Sequence, residues 1–240
     1  MAIEFYRGIE TYCLYGAETS FGAGAAIANA NKVGKITNFS VNMANGFLRT
    51  QSIGDGRNAT VAVTGPFEVT GSIDWDVDDL TFMQYAIGSR TGAGTVLDPY
   101  ELKELNNIGY TSGTEIPTLQ LQIGSEGDAN DNTLDIYGVA INNLTITATQ
   151  GEILKATCDW IGRTVASGTS LTAYTAATTK PFVFQQGAVT VGTDTFECNS
   201  FALTLANNMQ TYRNLGSRFI AQPVTGVRRY DFTVTFKLKY

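Results

Sequence analysis

Two acidic clusters are the first residues of this chain whose spacing a chemical step can use. Asp74 and Asp76 alternate along one stretch, with Asp78 and Asp79 directly behind. Paired carboxylates are the equipment of acid–base hydrolysis. Here the alternation places them on the polar face of a strand or at a helix cap, without an identifiable partner group, so catalysis is not expected of them. The loop GDANDNTLD, residues 127–135, sets Asp128, Asn130 and Asn132 at alternate positions. An EF-hand loop needs glycine at its sixth position and glutamate at its twelfth, and those positions hold Thr133 and Val139. A polar hairpin loop is expected instead, since Asn and Asp suit tight turns by themselves.

Histidine is absent from all 240 residues. That removes the usual general base near neutral pH, the Ser-His-Asp arrangement and the commonest zinc ligand. The cysteines, Cys13, Cys158 and Cys198, are far apart and odd in number, which fits buried free thiols rather than a disulfide framework. Glycine clusters occur, but none has the spacing of a dinucleotide or phosphate loop. Net charge is −6, and the longest basic cluster is the pair Arg228–Arg229. A protein that grips nucleic acid needs a basic stripe, so gripping is not expected. No catalytic residue, cofactor or metal is expected. The start lacks an apolar run long enough for a signal peptide and no segment approaches a membrane span, so folding in a reducing cytosol and no membrane contact are expected.

The elements that carry these residues are read from alternation. Val69, Gly71, Ile73, Trp75 and Val77 face one way, and Thr70, Ser72, Asp74 and Asp76 the other. The last stretch repeats this, with Tyr230, Phe232, Val234, Phe236 and Leu238 against Asp231, Thr233, Thr235 and Lys237. A period of two with one apolar face means antiparallel sheets packed on one side. A hairpin between Leu144 and Trp160 is expected to turn at Thr149–Gln150–Gly151–Glu152. One short helix is expected after Val77, with Leu80, Met83 and Ile87 on one face and Gly88 ending it. A second is read over residues 98–107. Residues 20–34 read as a flexible arm, and residues 90–114 as a long insertion loop. The fold class is therefore all-β, an antiparallel sandwich or barrel with one flanking helix. All 240 residues read as one domain, with residues 1–34 as its N-terminal arm.

The chain also says the same thing twice. Residues 36–77 laid over 198–238 match Phe39 to Phe201, Ala44 to Ala206, Asn45 to Asn207 and Gly54 to Gly216. Thr64–Gly65 then meets Thr225–Gly226. Each copy reads as strand, long arm, strand. The arms, 45–59 and 207–224, mix Phe47, Leu48, Ile53, Met209, Tyr212, Leu215, Phe219 and Ile220 with Arg49, Arg57, Arg213 and Arg218. Aromatic and arginine residues outside the strand pattern are the composition of an interface.

Several stretches in order are similar to signatures of the tail tube proteins of long-tailed viruses of bacteria and archaea. They are ETSFGA at 18–23, VTGSIDWDV at 69–77, and INNLTITATQGEILKATCDWIGR at 141–163. PFVFQQGAVTVG at 181–192, CNSFALTLANNMQTYRNLGSRF at 198–219 and VTGVRRYDFTVTF at 224–236 complete the series. The resemblance implies a β-sandwich whose copies close into hexameric rings, with inner strands joined in a continuous barrel. Rings stack through the arms into a tube, and the genome passes through the lumen without specific binding. It also implies contacts with tail tip or baseplate and tail terminator proteins, a place in the virion tail, and assembly in the host cytoplasm. A tube of a virus-derived particle would read the same way. The alternative is a ligand- or carbohydrate-binding β-sandwich, such as a virion adhesin.

Within a tube, the regular strands near 69–77 and 230–238 and their partners near 38–43 and 200–205 are assigned to the lumen. Their polar face carries Asn38, Ser40, Asn42, Thr70, Ser72, Asp74, Asp76, Ser200, Thr204, Asp231, Thr233 and Thr235. With Lys237 as the only cation counted on it, this would be a weakly negative, hydroxyl-rich wall that repels phosphates.

Overall fold

The strand pattern is realised in a computed structural model, which describes residues 11–50, 61–95, 97–105, 107–109, 115–125, 132–167, 170–191 and 193–236. In chain order the strands are β1 (Thr11–Ala17), β2 (Lys35–Thr50), β3 (Val61–Asp76), β4 (Gly88–Thr91), β5 (Glu101–Glu104), β6 (Asn107–Ile108), β7 (Glu115–Ile116) and β8 (Leu119–Ser125). They continue with β9 (Asn132–Thr149), β10 (Lys155–Gly162), β11 (Thr164–Ser167), β12 (Val189–Val191), β13 (Asp194–Phe196), β14 (Cys198–Ala206) and β15 (Arg229–Phe236). A 3-10 turn at Thr81–Met83 leads into the short helix α1, Gln84–Ile87.

Two antiparallel layers form the sandwich. One runs β1-β8-β9-β11 and the other β2-β3-β10-β9-β14-β15, so β9 belongs to both. Its first half pairs with β8 and β11, and its second half with β10 and β14. The change of layer falls at Gly138, which sits at φ 64. A Cβ there would lie 2.8 Å from both the Phe21 ring and the Arg163 side chain. Only glycine meets both requirements, and it lets one strand turn the corner of the sandwich.

The core lies between the layers. Val69, Ile73 and Trp75 of β3 meet Ala156, Cys158 and Trp160 of β10, with Leu119, Leu121 and Ile136 opposite. Gly71 interrupts the apolar row because a Cβ would come within 2.3 Å of the Trp160 indole and 2.1 Å of the Ser40 carbonyl. The hairpin turn at Thr149–Glu152 is as the sequence indicates, with Gly151 at φ 83 and the Glu152 N–H donating to the Thr149 carbonyl.

Three expectations change. The helix ends at Gly88, but its buried side chains are Phe82, Met83 and Ala86, with Leu80 and Ile87 partly buried beside them. Residues 101–104, read as part of a helix, form β5 paired to β4, because strand pairing in place overrides a modest helical preference. The segment read as an N-terminal arm contains β1, whose five central residues are buried. Among the described residues no helix is long and apolar enough to cross a membrane.

Burial pushes the Cys13 thiol up to about 12 and the Cys158 thiol higher still. Both stay protonated when folded, whereas an unfolded thiol ionises from its ordinary value of 9.0. The stabilisation is therefore complete below about pH 9 and is lost as pH rises toward the folded value. Urea midpoints should hold steady up to about pH 9 and fall above it, and Cys13→Ala with Cys158→Ala should flatten that fall.

Candidate functional site

One face of the large sheet is polar from edge to edge. Strand register aligns Asn38–Asp74–Thr157–Thr145–Thr204–Asp231 in a single row across all six strands. Neighbouring rows bring Ser40 beside Ser72, Asn42 beside Thr70, and Asp76 beside Lys155 and Thr147. Thr233 follows Ala202, and Thr235 follows Ser200 and Thr149. All the polar residues picked out on the four outer strands thus share one face with seven more, Asn143, Thr145, Thr147, Thr149, Lys155, Thr157 and Asp159. The signal for those seven was present, as the odd positions alternating with Leu144, Ile146 and Ala148 and with Leu154, Ala156, Cys158 and Trp160.

The electrostatics of this face are those of a wall rather than a reaction centre. Asn38 donates to the Asp74 carboxylate at 3.0 Å, and Asn143 to Asp159 at 3.1 Å. Ser40 and Ser72 hydroxyls lie 2.8 Å apart, and those of Thr145 and Thr204 3.2 Å. Arg229 pairs with Asp231 at 2.8 Å, Lys155 stands across from Asp76, and Lys35 turns its Nζ to the Ala177 carbonyl. The expected ratio of three carboxylates to one lysine becomes Asp74, Asp76, Asp159 and Asp231 against Lys35, Lys155 and Arg229 in the described residues. Lys237 lies outside them. Among the described residues no group of three His, Cys, Asp or Glu side chains can hold a metal. Asp128 and Asn130 lie outside the described residues.

Among the described residues the sheet ends in two free edges, since β2 pairs there only with β3 and β15 only with β14. On the side away from the polar face, β15 presents Tyr230, Phe232 and Phe236 at 44%, 55% and 50% exposure. These side chains were expected in the core; the smaller layer does not extend far enough to cover them. The two repeat units occupy opposite ends of the sheet, in the order β2-β3 at one end and β14-β15 at the other.

The arms differ in build. The first is a two-stranded ribbon, since β2 runs on to Thr50 and β3 starts at Val61, beyond the last β10 pair at Val69. Phe47 and Leu48 are each 60% exposed on it, with Arg49 beside them. Ile53 and Arg57 lie outside the described residues. The second arm folds onto the first. Arg213 bonds Glu68 at 2.8 Å, Phe219 packs edge-on to Phe67 at 5.8 Å, and Arg218 reaches the Asn45 side chain. Met209 packs with Ile108 and Ile116, leaving Tyr212 half-exposed and Leu215 fully exposed.

Two buried polar hubs hold this frame, and neither was singled out as a site from sequence. Asn207 donates to the Ala86 and Ile141 carbonyls at 3.1 and 2.8 Å, and accepts from Arg228 at 2.7 Å. Glu18 accepts from the Gly22, Gly24 and Gly138 amides and the Thr118 hydroxyl, at 2.7–3.2 Å. Both carboxylate oxygens of Glu18 face donors, so Glu18→Gln turns an amide N–H₂ toward a backbone N–H. A loss of about 2–3 kcal/mol is expected, read as a lower urea midpoint; an unchanged midpoint would contradict this role.

A family model described as phage tail tube protein matches residues 8–239. No curated protein matches the chain. Among solved structures, the chain is similar to one from an extracellular contractile injection system, the PVC sheath/tube terminator in the extended state. The identity is 10%, the match covers 70% of this chain and 100% of that one, and the TM-score is 0.39.

Proposed function

This chain belongs to the phage tail tube protein family, and we propose that its copies close into hexameric rings that stack into the tail tube, the conduit for genome delivery. The observation that carries this reading is the six-stranded sheet with two free edges. Its strands alternate in direction and are even in number. The β15 edge of one copy is therefore antiparallel to the β2 edge of the next, and pairing them continues the same ladder around a ring. Ring closure satisfies both edges at once, which a lone subunit cannot do.

The polar face then lines the lumen. Asp74 and Asp159 leave it weakly negative, and hydroxyls supply most of the rest. Such a wall offers DNA no bidentate arginine and repels its phosphates, so the genome slides rather than binds. The subunit is structural, with no catalytic step. Phe47, Leu48, Arg49, Tyr212 and Leu215 are exposed for contacts between rings, while Met209, Arg213, Arg218 and Phe219 shape the arms from within. Tail tip or baseplate and terminator proteins would meet the two ends of the tube in the virion tail, after assembly in the host cytoplasm.

Light scattering of the purified protein across concentration and salt tests this. Particle mass rising with concentration toward rings and tubes is expected. A strict monomer under every condition would overturn the reading.

A further inference from the structure

We propose that Asn45 is a modification site: it loses its side-chain ammonia to attack by the Gly46 backbone nitrogen, and the aspartate that results locks the second arm onto the first. Asn45 and Gly46 form the only Asn-Gly pair in the chain. Glycine has no Cβ to screen its nitrogen, and Asn45 is exposed to water. The ladder is irregular at this point. Between the pairs Asn45–Phe67 and Phe47–Thr64, Gly46 stands alone against Gly65 and Pro66. The peptide joining Asn45 to Gly46 therefore lies where the register breaks, not in a regular run of strand.

Arg218 supplies the electrophilic help. Its Nη2 donates to Oδ1 of Asn45, the atom on which negative charge gathers as nitrogen adds to Cγ, and a fixed donor there lowers the barrier. The new N–Cγ bond closes a ring, the Cγ–Nδ2 bond breaks, and ammonia leaves with the Gly46 amide proton. Solvent water then adds to Cγ, the N–Cγ bond breaks, and a proton returns to the nitrogen, leaving a carboxylate at position 45. The flanking pairs Ala44–Glu68 and Phe47–Thr64 hold the backbone to its present length. They direct water to Cγ, since opening at the backbone carbonyl would insert a methylene into the strand. The same guanidinium favours the product. Among the described residues Arg218 has no carboxylate partner, and its Nε, on the same edge as Nη2, is buried without an acceptor. An amide offers that edge one oxygen, whereas a carboxylate offers two in the bidentate geometry arginine favours. Phe67 of β3 and Phe219 of the second arm flank the guanidinium, with ring centroids 5.7 and 5.6 Å from Cζ. An ion pair there joins arm to arm.

Peptide mass spectrometry of the purified protein, stored at neutral pH and sampled over weeks, reads the conversion directly. Folded wild type should convert to aspartate at position 45 several-fold faster than Arg218→Gln, and faster than wild type held in urea, where the contact with Arg218 is gone. Gly46→Ala should keep its amide far longer. Should Arg218→Gln not fold, the urea comparison decides alone. Asn45→Asp, which supplies the product outright, should raise the urea midpoint above that of freshly purified wild type at low salt, and the gain should vanish when combined with Arg218→Gln. Wild type that keeps its amide when folded, equal rates in wild type and Arg218→Gln, isoaspartate as the main product, or a midpoint unmoved by Asn45→Asp would each overturn the proposal. None of these measurements needs a ring or a tube, so their failure leaves the tube reading untouched.

Discussion

Phe232→Ser combined with Phe236→Ser is expected to leave a folded subunit that no longer forms rings. Both side chains stand on the free edge strand β15, about half exposed in the single chain, so truncation should cost the subunit about 1 kcal/mol or less apiece. In a ring they become buried against the next copy. Interface aromatics commonly cost about 2 kcal/mol or more each when truncated, which makes roughly 4 kcal/mol per contact. At about 1.4 kcal/mol per decade, association should weaken roughly a thousandfold. Circular dichroism should remain that of a β protein while scattering reports small species at concentrations where wild type assembles. Assembly at wild-type concentration would show that β15 is not at the ring contact.

Asn207→Ala should have the largest effect on the subunit itself. The side chain is fully buried and joins three elements: the α1 carbonyl of Ala86, the β9 carbonyl of Ile141 and the Arg228 guanidinium. Arg228 continues the link to the Ile87 carbonyl and to Glu104. Alanine strands two buried carbonyls and takes one acceptor from a buried cation, a loss of about 3–5 kcal/mol. For a chain of this length that is a fall of roughly 10 °C in Tm. Asn207→Asp keeps the acceptor for Arg228 but loses both donated bonds, so it should also be destabilised. A Tm within about 2 °C of wild type for the alanine variant would contradict the role given to this residue.

What could be read in advance was whatever alternation alone decides. The apolar faces of β3 and β10 and the turn at Gly151 follow from a period of two and one permissive glycine. The polar face was legible for the same reason, and the alternation of β9 and β10 carries it across the middle of the sheet. Three features needed the tertiary arrangement. The switch of β9 between layers hangs on Gly138, which looks like any strand glycine until Phe21 and Arg163 close on it. The face of β15 that carries Tyr230, Phe232 and Phe236 has a core-like pattern, yet these side chains are about half exposed among the described residues. Asn45 and Asn207 align as a repeat, yet one is exposed and takes a bond from Arg218 while the other is buried among carbonyls. Equivalent sequence positions acquired different work because β2 is an edge strand and β14 is an inner one.

Helical reconstruction of assembled tubes by electron cryo-microscopy tests the central claim most directly. The account predicts rings closed by pairing of β15 with β2 of the next copy, with Asp74, Asp159, Thr145 and Thr204 facing the lumen. A tube with Asp74 and Asp159 on its outer surface, or a lumen lined by arginine, would contradict it.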